Sequence, residues 1–183
     1  MKIGVYGGSF NPPHVGHSMV AAWLLWTERV EEVWLLPAFA HAFDKALTPF
    51  DDRVALCEAL AAELGPQVKV CTIEAELPAP SYTVNTLEAL AARHPEHQLQ
   101  LVLGADNLST LHLWRRWDEL AARFPPIFVG RVGYPEIEGA VSFPAVSSTE
   151  IRARLAAGQS VHHLVPAAVR RVLAAQRGGV TRE

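Results

Sequence analysis

The hydrophobic residues of this chain fall into short continuous runs that alternate with longer periodic segments. Six runs are rich in β-branched or aromatic side chains, and most of them end at Gly or Pro, a pattern typical of strands. Because these runs do not alternate with polar residues, they predict a sheet that is covered on both faces. The runs are KIGVY from Lys2, VWLLP from Val33, VKVCTI from Val68, LQLVLG from Leu99, PIFVG from Pro126 and AVSFP from Ala140.

Helical segments are predicted between these runs. Thr48 is a candidate N-cap before Pro49, and Gly65 follows the last periodic residue of that segment. Ser147 and Glu150 have the spacing of a capping box. The predicted helical segments are 14–30, 48–65, 81–95, 114–124, 147–158 and 165–176.

Strands that alternate with helices predict one domain, 1–183, with a frayed tail at 177–183. The fold class is α/β, a Rossmann-like, doubly wound and mostly parallel sheet with helices on both faces. In such a fold, ligands bind beyond the carboxyl ends of the strands, so the turn after the first strand is the first place to look for chemistry.

Composition narrows the functional classes. Half of the 183 residues are hydrophobic and the net charge is −3, which indicates a globular protein without a basic surface for nucleic acid. No apolar run is long enough for a membrane span or a secretory signal, so we expect a cytoplasmic protein without a membrane partner. Cys57 and Cys71 lack metal-ligand spacing and are expected to be reduced thiols.

The turn after the first strand has the sequence GGSFNPPHVGH. Gly7 and Gly8 allow backbone N–H groups to approach a ligand, and Ser9 adds a hydroxyl. His14 and His17 lie three residues apart, on one face of the first helical turn. From the residues alone, three interpretations stay open: an ordinary turn beside two unrelated histidines, a zinc site, or a phosphate site at a helix N-terminus.

This turn resembles the signature of the nucleotidyltransferase superfamily that carries an H-x-G-H motif. The segment SSTEIR, 147–152, resembles the second signature of that superfamily. Between the two, PSYTVNTL, GADNLSTLHLW and GRVGYP resemble segments of the bacterial nicotinate-nucleotide adenylyltransferases. The resemblance extends from Lys2 to about Val172.

The resemblance implies an enzyme of NAD biosynthesis that transfers AMP from ATP to nicotinate mononucleotide, giving deamido-NAD and pyrophosphate, with Mg²⁺ accompanying ATP. It implies three catalytic residues: His14, His17 and Arg152. It assigns ATP to these three and to Gly8, Ser9, Phe10, Lys45, Gly104, Asp106, Ser147, Ser148 and Thr149. It assigns the mononucleotide to Tyr82, Thr83, Asp106, Trp114 and Arg131, while Trp117 is expected in the core.

The chain departs from this family at GRVGYP, where Arg131 stands alone although two basic residues are common, and at one loop. The family often has a histidine and a lysine side by side after the second strand, whereas here three residues separate His41 from Lys45. His94 and His97 have no motif context and are expected at the surface.

Several alternatives stay open. They are an adenylyltransferase for nicotinamide mononucleotide or another small phosphorylated acceptor, a non-catalytic nucleotide-binding protein, and a zinc hydrolase using the histidine pair. The sequence also leaves open whether the chain forms a homo-oligomer.

Overall fold

The structure, a computed structural model, describes residues 1–39 and 47–179. Its centre is a six-stranded sheet in the order β3-β2-β1-β4-β5-β6, in which every neighbouring pair is parallel. The predicted fold class and all six predicted strands are confirmed. The strands are β1 Lys2–Gly8, β2 Glu32–Pro37, β3 Val68–Val70, β4 Gln98–Gly104, β5 Ile127–Arg131 and β6 Ser142–Phe143.

Six α-helices lie within the described residues, each inside or overlapping a predicted helical segment. They are α1 Val15–Trp26, α2 Phe50–Leu64, α3 Thr83–Arg93, α4 Trp117–Arg123, α5 Ser148–Ala156 and α6 Ala167–Gly179. Two 3₁₀ segments, Ile73–Glu76 and Ala105–Leu113, were not predicted. The first of them replaces the end of the third predicted strand.

The sheet separates two hydrophobic cores. Val33 and Leu35 of β2 belong to the core beneath α1, α2, α5 and α6, while Trp34 and Leu36 belong to the core beneath α3 and α4. Because successive side chains of a strand point to opposite faces, a strand buried on both faces must be apolar at every position. This explains the continuous apolar runs in the sequence.

The strand order changes direction between β1 and β4. The chain adds β2 and β3 on one side of β1, and then crosses to add β4, β5 and β6 on the other. A crevice is expected at such a switch point, outside the carboxyl ends of the two central strands. Those ends are Gly8 and Gly104.

The ends of α2 and α5 test the capping predictions. Thr48 is not the N-cap of α2: Pro49 takes that position, and the Thr48 hydroxyl donates to Asn11 Oδ1 over 2.8 Å. Ser147 does cap α5, because its hydroxyl accepts the Glu150 N–H at 3.1 Å. The Thr48 prediction was wrong because the hydroxyl found a partner far away in the sequence.

Helix α6 is the last element of the described chain. Helix α6 continues through Gly179 and so includes the start of the segment predicted to fray, while 180–183 lie outside the described residues. None of the described helices has both the length and the apolar character to span a bilayer. The cytoplasmic location stays a prediction.

A core leucine tests the second hydrophobic core. Leu87 of α3 is fully buried, so Leu87→Ala should lower the free energy of unfolding by about 2–5 kcal/mol, through lost burial and a residual cavity. Urea denaturation followed by circular dichroism measures this loss. Leu113→Ala is the matched control: its side chain is 59% exposed, and we expect a change within about 0.5 kcal/mol. Equal losses in the two variants would contradict the core assignment.

Candidate active site

A cavity of about 860 Å³ opens at the carboxyl ends of β1, β4 and β5. Every site residue predicted from the sequence lines it, apart from Lys45, which lies outside the described residues together with His41. The fold therefore brings together residues that are up to 144 positions apart in the chain, from Gly8 to Arg152. The predicted residues that line the cavity are Gly8, Ser9, Phe10, His14, His17, Tyr82, Thr83, Gly104, Asp106, Trp114, Arg131, Ser147, Ser148, Thr149 and Arg152.

A buried arginine holds one side of the first turn. Arg53 of α2 is 1% exposed, and its Nη1 donates to the Ser9 carbonyl while its Nε donates to the Thr48 carbonyl, both over 3.0 Å. Its guanidinium also lies over the Phe50 ring, 5.5 Å from the centroid. Because a buried guanidinium needs its hydrogen bonds, these contacts fix the turn and the start of α2 relative to each other.

Helix α5 holds the other side of the same turn. Arg152 Nη1 donates to the Asn11 carbonyl over 2.7 Å, and Ser148 Oγ donates to the Pro12 carbonyl over 2.8 Å. Arg152 Nη2 also reaches Thr149 Oγ1 at 3.3 Å. The two segments that carried the superfamily resemblance therefore form one hydrogen-bonded structure at the cavity.

The rings of the two histidines of this turn pack closely against each other, tilted by 31°. Their ring centroids are 3.8 Å apart, and His17 Nδ1 accepts the backbone N–H of His14 at 3.1 Å. Because Nδ1 accepts, the ring proton of neutral His17 is assigned to Nε2. A β-carbon at Gly16 would come within 2.9 Å of His14 Nδ1, so a larger residue there would displace the His14 ring.

Both imidazoles are neutral at pH 7. Burial and, to a smaller extent, the positive charge of Arg131 lower the pKa of His14 from 6.5 to about 4. Burial also lowers the pKa of His17 well below 6.5, with His14 and then Arg131 adding to the effect. The pair therefore offers hydrogen-bond donors rather than charges, and His14 Nδ1 is buried without a partner in the described part of the chain.

Two charged groups lie side by side at the strand ends in the cavity wall. Arg131 Nη1 of β5 lies 3.9 Å from Asp106 Oδ2, and its Nη2 donates to the Val146 carbonyl. A β-carbon at Gly104 would collide with Asp106 Oδ1, so this glycine lets the carboxylate fold back over the end of β4. The opposite charges are placed where a polar ligand would meet both of them.

Aromatic residues line the side of the cavity next to α3. Trp114 lies in the cavity wall, and its Nε1 is buried without a hydrogen-bond partner among the described atoms. The Arg115 guanidinium lies over the Tyr82 ring, 5.0 Å from its centroid. Trp117 packs edge-on against Trp114 at 6.0 Å, and both indoles are partly buried against the core beneath α3 and α4, so burial does not distinguish a core Trp117 from Trp114 as predicted. A flat ring could enter between these groups.

Sequence reasoning missed several residues of the site. Arg53 shares the buried face of α2 with Leu56, Cys57 and Leu60, and a charged residue in such a stripe was the signal that could have identified it. Glu74 is 6% exposed, and no pattern marked it. The other lining residues that were not predicted and could bond to a ligand include Tyr6, Asn11, Asn107, Thr110 and Arg115.

Glu74 is held by two elements. Its Oε2 accepts the Phe39 N–H at 3.0 Å, and its Oε1 accepts the Thr86 hydroxyl at 3.2 Å. These bonds connect the end of β2 to α3 across the cavity wall. Both carboxylate oxygens therefore already accept a hydrogen bond from the protein.

The charges around the cavity favour an anionic ligand. Its described lining carries three arginines, Arg115, Arg131 and Arg152, against two carboxylates, Asp106 and Glu74.

A zinc centre at the histidine pair has no support of this kind. Within the described ranges, no third Cys, His, Asp or Glu joins His14 and His17 as a ligand.

The chain is similar to known proteins along most of its length. The model of the family described as cytidylyltransferase-like matches residues 5–154. A protein of Anaeromyxobacter dehalogenans (strain 2CP-C), named "Probable nicotinate-nucleotide adenylyltransferase", is 52% identical over 179 residues, covering 96% of this chain and 95% of that protein. A protein of Myxococcus xanthus with the same name is 40% identical over 168 residues, covering 91% and 88%.

A solved structure supports the fold independently. The nicotinic acid mononucleotide adenylyltransferase of Plasmodium falciparum, complexed with NaAD, superposes with a TM-score of 0.81. The match covers 96% of each chain at 18% sequence identity. The same arrangement of strands and helices is therefore reached by a very different sequence.

The buried His14 predicts a specific dependence of stability on pH. Between pH 6.5 and about 4 the unfolded chain binds a proton that native His14 does not, so the free energy of unfolding falls as the pH falls through this window. In His14→Asn this contribution is absent, and the loss over the window should be smaller by about 3 kcal/mol. Urea denaturation at a series of pH values measures both proteins, and their difference removes the carboxylate contributions. Parallel curves would show that His14 titrates normally.

Proposed function

The chain belongs to the cytidylyltransferase-like family, and we propose that it transfers AMP from ATP to nicotinate mononucleotide, giving deamido-NAD and pyrophosphate. One observation carries the proposal: Arg152 and Ser148 donate to the carbonyls of the turn that holds the two closely packed histidines. The acceptor is inferred from the named relatives, which match along most of the chain.

The reaction needs no protein nucleophile. A 5′-phosphate oxygen of the mononucleotide attacks the α-phosphorus of ATP, the new P–O bond forms, and the bond to pyrophosphate breaks. The protein has to align two anions and stabilise the charge on the transferred and leaving groups. The cavity is suited to this work because its donors are fixed before the substrates arrive.

Each donor has a distinct part in the proposal. The neutral His17 donates from Nε2 to a phosphate oxygen, and His14 contributes a second imidazole beside it. The N-terminus of α5 and the guanidinium of Arg152 face the same phosphates, where a helix dipole and a fixed charge both stabilise an anion. Proton transfer by the histidines is not required.

The second substrate is assigned to the α3 side of the cavity. Trp114 offers an aromatic surface for the pyridine ring, and Thr83 lies at the first turn of α3, where backbone N–H groups suit a carboxylate. Tyr82 and Arg131 complete this side, and Asp106 is available to a ribose hydroxyl. Arg115 adds a positive charge at the rim.

Magnesium fits the cavity as a companion of ATP. Glu74 is occupied by Phe39 and Thr86, so Asp106, 44% exposed, is the carboxylate of the described lining that could reach an ion. Mg²⁺ commonly takes most of its ligands from phosphate and water, and one carboxylate is enough for that mode. Bound there, it would supply charge neutralisation for the leaving pyrophosphate.

The substrate assignment is tested by pyrophosphate release. With ATP and Mg²⁺, we expect turnover with nicotinate mononucleotide, and a kcat/KM at least about 10-fold lower with nicotinamide mononucleotide, because the amide lacks the negative charge. Phosphopantetheine should not react. A preference for the amide would overturn the acid specificity. ATP binding without release from any acceptor would indicate a nucleotide-binding protein that does no chemistry.

Two substitutions at His17 separate donation from folding. His17→Asn keeps an acceptor near Nδ1 for the His14 N–H but removes the distal donor, and kcat should fall roughly 100- to 1,000-fold. His17→Gln places an amide donor near the position of Nε2 and should recover part of the rate. Steady-state kinetics and thermal unfolding are measured on both. If the loss of rate follows the loss of stability in both variants, His17 is structural.

A further inference from the structure

Three metal-ligating side chains meet at the opposite end of the sheet from the cavity. His94, Glu96 and His97 lie in the turn between α3 and β4, and one ligand atom from each lies within 4.8 Å of the others. Glu96 Oε1 is 3.2 Å from His97 Nε2 and 3.8 Å from His94 Nδ1. Sequence analysis expected both histidines at the surface, but the His97 side chain is only 15% exposed.

The turn that carries these residues is well supported. The His97 N–H donates to the His94 carbonyl over 3.0 Å, which closes the turn. Both imidazoles stand edge-on against the buried indole of Trp34, with ring centroids 5.0 and 5.8 Å away. The indole is itself held by a hydrogen bond from Nε1 to Glu32 Oε2 at 2.9 Å. Backbone and packing therefore bring the three groups together before any ion binds.

The distances suit a small tetrahedral ion. Metal bonds of about 2.0–2.2 Å from nitrogen and oxygen place neighbouring ligands of a tetrahedron about 3.4 Å apart. The two measured separations, 3.2 and 3.8 Å, lie on either side of that value. The two rings are now nearly parallel, so His94, the more exposed of them at 39%, has to turn for its lone pair to meet the ion.

We propose that His94, Glu96 and His97 form a binding site for a divalent transition-metal ion, and that this ion is principally zinc. Two imidazoles and one carboxylate are ligands that zinc accepts, whereas magnesium and calcium prefer oxygen alone. Three protein ligands leave the fourth position to water. His97 Nδ1 has no hydrogen-bond partner among the described atoms to orient the ring, so the affinity should be moderate.

The site is independent of adenylyl transfer. Strand β4 has seven residues between the turn and the cavity, and at about 3.3 Å per residue this places the two sites roughly 20 Å apart. A bound ion would brace the junction of α3 and β4 without touching the substrates. The inference therefore does not rest on the proposed function, and either can fail alone.

The test is a zinc titration of the metal-stripped protein without ATP, followed by calorimetry and thermal unfolding. We expect one zinc ion per chain and a higher unfolding temperature when it binds. Glu96→Gln should abolish stoichiometric binding, and it leaves the fold unaffected because this side chain is 60% exposed. His94→Gln should do the same. Cobalt in place of zinc should give the intense visible absorption of a four-coordinate ion.

Two control variants locate the ion. His112→Gln changes an exposed histidine elsewhere and should bind zinc as the parent does. His17→Asn should also keep its zinc, which separates this site from a zinc centre in the cavity. The proposal is overturned if the parent binds no zinc, if Glu96→Gln and His94→Gln bind it unchanged, or if His17→Asn loses it.

Discussion

The site depends on how the backbone of residues 9–12 is held. The carbonyls of residues 9, 11 and 12 accept hydrogen bonds from Arg53, Arg152 and Ser148, which come from two different helices. Leaving a buried carbonyl without its donor costs about 1–3 kcal/mol, so each donor contributes to the position of the turn. The turn between β1 and α1 is thus not a local motif but the meeting point of α1, α2 and α5. It forms only when both halves of the chain have folded around the sheet.

The same arrangement determines which side chains of the cavity are neutral and which are charged. Burial keeps His14 and His17 neutral, and the bond from the His14 N–H to His17 Nδ1 keeps the remaining proton of His17 at Nε2. Positive charge comes instead from arginines, which stay protonated at any physiological pH. The histidines therefore offer neutral, oriented hydrogen-bond groups, and the arginines provide the positive charge. In the proposed reaction, the phosphates would therefore meet donors that need no change of protonation.

Much of this could be predicted from the sequence, because the relevant signals are local. Continuous apolar runs predicted strands buried on both faces. Short segments that resemble those of a known family indicated the groups around the cavity. The failures share a different cause: the partner was distant in sequence. Thr48 looked like a cap but bonds to Asn11, and His97 looked exposed but lies against Trp34. Arg53 looked like an ordinary helix residue because Ser9 is 44 positions away.

Two of these unpredicted residues bear on the loop where the chain departs from its family. Glu74 accepts the Phe39 N–H just before residues 40–46, and Arg53 donates to the Thr48 carbonyl just after them. Both are buried ionic groups whose bonds are costly to break, so both flanks of the loop are fixed at the cavity wall. Lys45 lies between these flanks, outside the described residues, and its role on the polyphosphate stays a prediction. The chain on either side of residues 40–46 is thus held by two ionic side chains, Glu74 and Arg53, rather than by a local sequence motif.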